Sequence, residues 1–174
     1  MKYKNLSLQP IRDEDIQKIA AWLHKEHISK WYHDPDEWIH EMQERNKDFR
    51  FIHHFLVMEN DRAVGFCQYY DCMDAKEDWY NVEKENQLFS IDYLIGEDEY
   101  LRKGYGIAIV QLLTDTIRKE QNAKKIVVQP EQENLSSCKT LLAYNYIYDR
   151  EKNIILSIYK KRPLNAYSMV FFFN

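Results

Sequence analysis

The chain has 174 residues, enough for one globular domain with a single core, and its 45% hydrophobic and 30% charged residues are those of a soluble protein. A net charge of −4 argues against nucleic acid as a partner, and no apolar stretch reaches the roughly 20 residues that cross a membrane. The N-terminus lacks a signal-peptide core, and Cys67, Cys72 and Cys138 lack metal-ligand spacing, so we expect free thiols in the cytoplasm.

The N-terminal segment predicts one strand followed by two helices. Residues 3–8 alternate weakly as a strand, and Asp13 is a candidate N-cap for the first helix. Asp34 before Pro35 is typical of a second helix start, because proline fits the first helical position.

A β-hairpin is predicted next, from residues 51–58 and 63–70 around a polar turn. His53 and His54 are adjacent in its first strand and therefore point to opposite faces of the sheet. This arrangement argues against a metal ion bound by both histidines.

The second half of the chain alternates strands and helices. Strands are predicted at 88–95, 124–129, 146–150 and 154–160. A helix between the first two strands has an apolar face formed by Ile109, Leu112, Leu113 and Ile117. A second helix, after the strand at 124–129, is capped by Asn134, is expected to bury Leu135, Cys138, Leu141 and Leu142, and ends at a left-handed Asn145. This order predicts a mixed α/β sheet with helices on both faces. We expect one domain over residues 1–162 and an apolar tail at 163–174 that adds a strand, covers a groove or contacts another subunit.

The turn Arg102-Lys103-Gly104-Tyr105-Gly106 stands between the predicted central strand and the helix after it. Glycine lets the backbone approach a ligand closely, and the first N–H groups of a helix favour an anion. The turn therefore indicates a phosphate site, although two glycines can also simply shape a turn. Walker and Rossmann loops are excluded, since neither spacing is present.

The segment from Asp71 to Phe89 carries six acidic residues against two lysines, a net charge of −4 that equals the excess of the whole chain. Such a charge run is either a solvated loop or a face for a cationic substrate.

Several motifs together resemble the aminoglycoside 6′-N-acetyltransferases of the GNAT acetyltransferases. They are Trp22-Leu23, His27-Ile28 and Trp31, then Gly65-Phe66-Cys67-Gln68-Tyr69-Tyr70 leading to Trp79-Tyr80, then Ile91-Asp92-Tyr93-Leu94 before Lys103-Gly104-Tyr105-Gly106. The resemblance covers residues 6–160 and implies the GNAT fold, a central, mostly antiparallel mixed sheet flanked by helices.

The chain departs from the family at several positions. Leu101 replaces the Gln or Arg three residues before the first glycine, and Leu141 replaces the tyrosine that serves as general acid. Tyr144 lies three residues after Leu141 and is given no role. Gln129 stands where relatives carry a substrate-binding aspartate, a role for which Glu131 or Glu133 is an alternative.

The resemblance implies acetyl-CoA as cosubstrate, no metal, and a polycationic small-molecule amine as acceptor. The implied CoA-binding residues are Tyr93, Leu94, Ile95, Arg102, Lys103, Gly104, Tyr105, Gly106, Ile107, Asn134 and Ser137. The implied acceptor-binding residues are Trp31, Tyr70, Asp78, Trp79, Tyr80, Glu83, Glu85, Asp92 and Gln129. Asp92 is the implied proton acceptor, and a backbone amide near Leu94 is the implied oxyanion donor.

The leading interpretation is acetylation of the 6′-amine of an aminoglycoside, which would confer antibiotic resistance, by a monomer or homodimer. One alternative keeps the reaction but changes the acceptor to a polyamine, a siderophore precursor or a protein N-terminus. The other is a CoA-binding module without catalysis, in which Asp92 is a structural acid.

Overall fold

The computed structural model describes residues 5–76 and 80–158, and these form a seven-stranded sheet with helices on both faces. The strands are β1 (Leu6–Pro10), β2 (His53–Glu59), β3 (Arg62–Asp71), β4 (Leu88–Ile95), β5 (Lys125–Val128), β6 (Ile147–Asp149) and β7 (Ile154–Ile158). The helices are α1 (Asp13–Leu23), α2 (Glu26–Ser29), α3 (Pro35–Gln43), α4 (Cys72–Ala75), α5 (Tyr105–Gln121) and α6 (Leu135–Ala143). Within the described ranges, no helix has both the length and the apolar character needed to span a membrane.

The strand order is β1-β2-β3-β4-β5-β7-β6, and each neighbouring pair is antiparallel except β4 with β5. The predicted mixed and mostly antiparallel sheet is therefore confirmed. The acidic segment and the C-terminal tail are only partly covered, since residues 77–79 and 159–174 lie outside the described residues.

Two apolar layers cover the two faces of this sheet, as the alternation of side chains along a strand requires. Ile91 of β4 packs in the layer that contains Leu113 of α5. Leu94, three residues further along the same strand, packs in the opposite layer with Leu23 of α1. Both layers are therefore anchored on the central strand.

The parallel pairing of β4 with β5 is short, and the place where it ends determines where the site lies. Its ladder runs only from Leu88 to Ser90 of β4, whereas β4 continues to Ile95. On its other side, β4 stays paired with β3 along its full length, from Phe89 to Ile95. The edge of β4 from Ile91 to Ile95 is therefore open where β5 has turned away.

The helix caps follow the sequence at three positions. The Asp34 side chain accepts a hydrogen bond from the Glu37 amide, and the Asn134 side chain accepts one from the Ser137 amide. Asn145 has the left-handed conformation predicted for it, with φ 62°. These local predictions are confirmed because capping depends on few neighbouring residues.

Two local predictions are wrong. Arg12, not Asp13, is the N-cap of α1, because the Asp15 carboxylate reaches back and accepts from the Arg12 amide at 2.8 Å. Leu135 and Leu142 of α6 are 60% and 40% exposed, while Leu141 is fully buried. Leu135 and Leu142 are seven positions apart and share the outward face of the helix.

Two glycines are required by close approach. A Cβ at Gly65 would lie 2.3 Å from the Leu94 carbonyl oxygen of the neighbouring strand. A Cβ at Gly96 would lie 2.1 Å from the ring of Trp22, which is itself buried. These contacts explain why a glycine stands within β3 opposite the end of β4 and why another directly follows β4.

Gly96→Ala is expected to lower the free energy of unfolding by about 1–3 kcal/mol, because the new methyl group overlaps the buried ring of Trp22 and forces it out of its packed position. Gly106→Ala is the matched control, since a Cβ there meets nothing closer than 3.4 Å. Urea denaturation of both variants measures the difference. Equal losses in the two variants would contradict the packing described for Gly96.

Candidate active site

A cavity of about 450 Å³ lies in the opening between β4 and β5. Its floor is the open edge of β4, from Ile91 to Ile95, facing Val127 and Val128 of β5. The remaining lining residues come from the segment around α2 and α3, the end of β3 and the loop after it, β4, the loop before α5 and its first turn, and the segment from the end of β5 into α6: His27, Ile28, Trp31, Tyr32, Trp38, Tyr70, Tyr80, Ser90, Leu101, Gly106, Gln129, Pro130, Asn134, Ser136, Ser137 and Thr140.

The start of α5 supplies donors for an anion. Gly104 is its N-cap in the left-handed conformation, φ 80°, and its carbonyl accepts the first helical hydrogen bond, from Ala108 at 3.2 Å. The amides at positions 105–107 therefore precede the first residue with an acceptor inside the helix, and they point toward the helix N-terminus. Gly106 lines the cavity, and Arg102 and Lys103 are exposed beside it.

The start of α6 lies on the same cavity and is tied to β4. Asn134 caps this helix, and the Tyr93 hydroxyl is 2.9 Å from Ser137 Oγ. Burial raises the pKa of Tyr93 to about 12, so its hydroxyl stays protonated near neutral pH. Leu141 is fully buried, and the Tyr144 hydroxyl donates to Asp115 of α5 instead of lining the cavity.

The backbone N–H and C=O groups of successive β4 residues point alternately to the two edges of the strand. The Gly96 amide donates to the Val64 carbonyl of β3. The backbone N–H and C=O groups of the even-numbered residues of β4, Leu94 included, therefore point toward β3. The Tyr93 carbonyl instead accepts from the Tyr32 hydroxyl at 2.7 Å, on the open side. The amides directed at the cavity are thus those of Tyr93 and its odd-numbered neighbours, whereas the sequence had suggested Leu94.

Asp92 lines the cavity and is held by a residue of the neighbouring strand. Its Oδ2 accepts a hydrogen bond from Gln68 Nε2 at 3.2 Å, and Gln68 lies directly opposite in the ladder. Burial raises the pKa of Asp92 to about 7, the Gln68 hydrogen bond acts in the lowering direction, and the charge of Glu41 adds to the raising. A carboxyl group with this pKa can accept or hold a proton near neutral pH.

Aromatic rings surround Asp92. The Tyr70 and Tyr80 hydroxyls are 2.7 Å apart, and the rings of Tyr32 and Trp38 meet edge to face at 4.9 Å. Among the described lining residues, Asp92 is the single acid. Rings around one carboxylate are suited to an organic cation, because the ring faces and the carboxylate both attract positive charge.

The structure brings only part of the sequence-predicted site together. Trp31, Tyr70, Tyr80, Asp92 and Gln129 line the cavity, as do Tyr93, Leu94, Ile95, Gly106, Asn134 and Ser137. Glu83 and Glu85 are exposed and do not line it, and Asp78 and Trp79 lie outside the described residues. In residues 5–76 and 80–158, no group of three or more His, Cys, Asp or Glu side chains is placed to hold a metal ion.

Several lining residues were not predicted. Tyr32, Trp38, Ser90 and Thr140 reach the cavity from four different segments. The unusual density of aromatic residues between positions 22 and 38 was the available signal, but it cannot show which rings face a cavity.

Comparison with known proteins identifies the family. The acetyltransferase (GNAT) domain matches residues 12–154. Aminoglycoside N(6′)-acetyltransferase type 1 of Klebsiella pneumoniae is 21% identical over 141 residues, which cover 78% of this chain and 70% of that protein. N-hydroxyputrescine acetyltransferase of Acinetobacter baumannii is 26% identical over 128 residues, covering 70% of this chain and 59% of that protein.

Solved structures show the same fold. AAC(6′)-Ib in complex with paromomycin and acetyl-CoA superposes with a TM-score of 0.76 at 18% identity, over 88% of this chain and 93% of that chain. Spermidine N-acetyltransferase from Vibrio cholerae, in complex with CoA and spermine, superposes with a TM-score of 0.65 at 14% identity, over 83% and 82% of the two chains. The resemblance seen in the sequence is confirmed: the chain belongs to the GNAT family, whose members are acetyl-CoA-dependent N-acetyltransferases.

Proposed function

We propose that this protein transfers an acetyl group from acetyl-CoA to a primary amine that binds beside Asp92. The observation that carries the proposal is the position of Asp92, a carboxyl group with a pKa raised to about 7 on the floor of a cavity. The same cavity reaches the amides at the start of α5, so the two halves of the reaction share one space.

The cosubstrate half of the site consists mainly of backbone groups. The amides at positions 102–107 would hold the pyrophosphate of acetyl-CoA at the N-terminus of α5. Asn134 and Ser137 line the cavity at the start of α6, and the open edge of β4 offers unpaired strand geometry to an extended ligand. The departure at Leu101 is compatible with this site, because backbone amides require no particular side chain there.

The chemistry assigned to this chain's residues is general base catalysis with oxyanion stabilisation. Asp92 takes a proton from the bound ammonium group, which frees the nitrogen lone pair to form the new C–N bond with the acetyl carbonyl. A backbone amide of β4 that faces the cavity, at Tyr93 or Ile95, donates to the developing oxyanion. When the tetrahedral intermediate collapses, the C–S bond breaks, the nitrogen loses its second proton and the CoA thiolate takes up that proton. Asp92 then releases the first proton to solvent.

The acceptor we propose first is the 6′-amine of an aminoglycoside. Support comes from the 78% of the chain that aligns with an aminoglycoside N(6′)-acetyltransferase and from the aromatic rings and carboxylate around the acceptor position. The acidic segment between β3 and β4 provides further negative charge close to Tyr80, which is suited to a polycation.

A slender alkyl amine, such as a diamine, is the second candidate. The specific observation in its favour is that Asp92 is the single acid among the described lining residues, with aromatic rings around it. An alkyl chain packs well against rings, whereas a polyhydroxylated polycation needs several carboxylates. The similarity to N-hydroxyputrescine acetyltransferase points the same way.

A thiol-release assay with acetyl-CoA separates these candidates. The panel contains kanamycin, which carries a 6′-amine, a 6′-hydroxyl aminoglycoside such as paromomycin, putrescine, N-hydroxyputrescine, spermidine and a short peptide. Turnover of kanamycin but not of the 6′-hydroxyl compound supports the first acceptor, and preferred turnover of the diamines supports the second. CoA binding without turnover of any amine on the panel would contradict acetyl transfer and favour a non-catalytic CoA-binding module.

Gly106→Val is expected to weaken CoA binding about tenfold or more, an effect of about 1.4 kcal/mol, because its methyl groups enter the cavity beside the α5 amides. The fold should survive, since a Cβ at Gly106 makes only ordinary contacts with Thr140. Calorimetry with CoA measures the change, and Gly106→Ala should give an intermediate result. A folded Gly106→Val protein with wild-type CoA affinity would refute this placement.

Asp92→Asn is expected to lower kcat by about 10²–10⁴ while leaving CoA affinity near wild type. The wild-type rate should fall below a pH of about 7, where the carboxylate becomes protonated. The folded-state pKa is raised above the unfolded value of about 4, so the folded protein binds the proton more tightly than the unfolded chain. Stability therefore falls as the pH rises from about 4 to about 7, and the full cost of the charged carboxylate is present above pH 7. Asp92→Asn should therefore also melt at a higher temperature than wild type above pH 7.

The measurements are steady-state kinetics and thermal melts between pH 6 and 9. If Asp92→Asn turned over its best amine at the wild-type rate across that range, Asp92 would be a structural acid.

Replacing Asp78, Glu83 and Glu85 by their amides is expected to raise KM for a polycationic acceptor and to leave KM for acetyl-CoA unchanged. The reason is loss of long-range attraction, which salt screens over about 10 Å at 0.1 M. The control is Glu151→Gln, an exposed acid in the β6–β7 turn. Equal effects on both substrates, or none, would leave these acids as a solvated loop.

A further inference from the structure

A row of polar side chains crosses three strands beneath the acceptor position. His54 of β2 lies directly opposite Gln68 of β3, and Gln68 lies directly opposite Asp92 of β4. Residues paired in this way project from the same face, with Cβ atoms about 4.5–5.5 Å apart. His54 is 5% exposed and Gln68 is 1% exposed, so two of the three are shut away from bulk water.

Each end of this row has one hydrogen bond. His54 Nε2 lies 3.0 Å from Glu41 Oε1 of α3, and Gln68 Nε2 donates to Asp92 Oδ2 at 3.2 Å. Between these pairs, His54 Nδ1 and Gln68 Oε1 are buried atoms without a partner among the described residues. Unpaired buried polar atoms cost free energy, so this pair of neighbours needs an explanation.

The donor and acceptor roles along the row determine one another. A carboxylate oxygen only accepts, so His54 donates from Nε2 to Glu41, and a ring with its single proton on Nε2 has Nδ1 as an acceptor. Gln68 donates its Nε2 to Asp92, which leaves Oε1 as an acceptor as well. Two acceptors cannot bond to each other, but one water molecule can donate a hydrogen atom to each of them.

We propose that Glu41 and His54, through one internal water molecule, are positioning residues that lock the Gln68 amide so that it always presents its N–H to Asp92. Without this lock, the Gln68 amide can turn over and present its oxygen, which repels a carboxylate. With the lock, Oδ2 is held from behind by Gln68, and Oδ1 is left for the substrate ammonium group.

The surroundings of Asp92 agree with this role. The titratable groups that influence it are Tyr32 from the segment after α2, Tyr70 from β3 and Glu41 from α3. Burial and the negative charge of Asp92 raise the pKa of both tyrosines, and Glu41 is the carboxylate of the set. Glu41 therefore acts on Asp92 in two ways, by its charge and through His54.

The proposal rests on the proposed function, since it assigns the residues that position the base of that reaction. Asp92→Asn is accordingly measured beside every other variant. Loss of turnover in Asp92→Asn with wild-type behaviour of the other variants overturns the positioning role alone. Wild-type turnover in Asp92→Asn overturns the base itself.

The kinetic test separates the lock from the charge of Glu41. Gln68→Leu removes a hydrogen bond to the charged form of Asp92, so the acid limb of the kcat profile should move to higher pH. Glu41→Gln has two opposed effects: it removes a negative charge, which moves the limb to lower pH, and it releases Gln68, which moves the limb to higher pH. In the Gln68→Leu background only the charge effect remains, so Glu41→Gln should move the limb further to lower pH there than in the wild type. Each single variant should lower kcat, by up to about 100-fold, with KM for acetyl-CoA unchanged. The same shift for Glu41→Gln in both backgrounds, or no shift in Gln68→Leu, overturns the proposal.

His54 itself is tested with a matched neighbour. His54→Phe should lower kcat in the same way, whereas His53→Phe, adjacent in β2 but exposed on the opposite face, should not. His54→Gln keeps a donor and an acceptor and should retain more activity than His54→Phe. If His53→Phe and His54→Phe lower kcat equally, the effect belongs to the strand and the proposal fails.

A spectroscopic readout needs neither substrate nor turnover. In protein labelled with ¹⁵N-histidine, the ring signals of His54 are identified by their absence in His54→Gln. We expect a neutral ring with its proton on Nε2 in the wild type and a mixture of tautomers in Glu41→Gln. A proton found on Nδ1 in the wild type, or an unchanged tautomer in Glu41→Gln, overturns the lock.

Discussion

The early separation of β4 from β5 is the constraint on which the rest of the structure depends. The ladder between them ends at Ser90, while β4 stays bound to β3 as far as Ile95. A strand that is paired on one side only has backbone groups that need partners. Tyr32 and His27 satisfy the carbonyls of Tyr93 and Ile95, and the remaining edge faces the cavity.

The same separation brings the starts of α5 and α6 together. Both helices follow strands that flank the opening, so their N-termini meet at its rim, where Gly106 and Asn134 line one cavity. Two helix N-termini supply many donors with little side-chain chemistry. Leu101 is therefore compatible with an anion at this rim, since the donors there are backbone amides and not a side chain at position 101.

Asp92 shows a conflict between folding and the proposed reaction. Its burial costs stability when the carboxylate is charged, and the same burial raises its pKa to about 7, the range that suits the proposed general base. Gln68 limits that cost with one hydrogen bond, and no lysine or arginine in residues 5–76 and 80–158 forms an ion pair with Asp92. A lysine or arginine partner would stabilise the carboxylate but would also lower its basicity.

The sequence by itself determined the strand at 88–95, the caps at Asp34 and Asn134, the turn at Gly104 and the family, because these depend on contacts within a few residues or on short motifs. Only the tertiary structure decided which rings line the cavity, which β4 amides face it, and that His54, Gln68 and Asp92 lie in one row. Periodicity reports whether a residue is buried, but it does not report register or where two strands part. Those depend on packing between distant segments, which is why Tyr32 and Glu41 were missed.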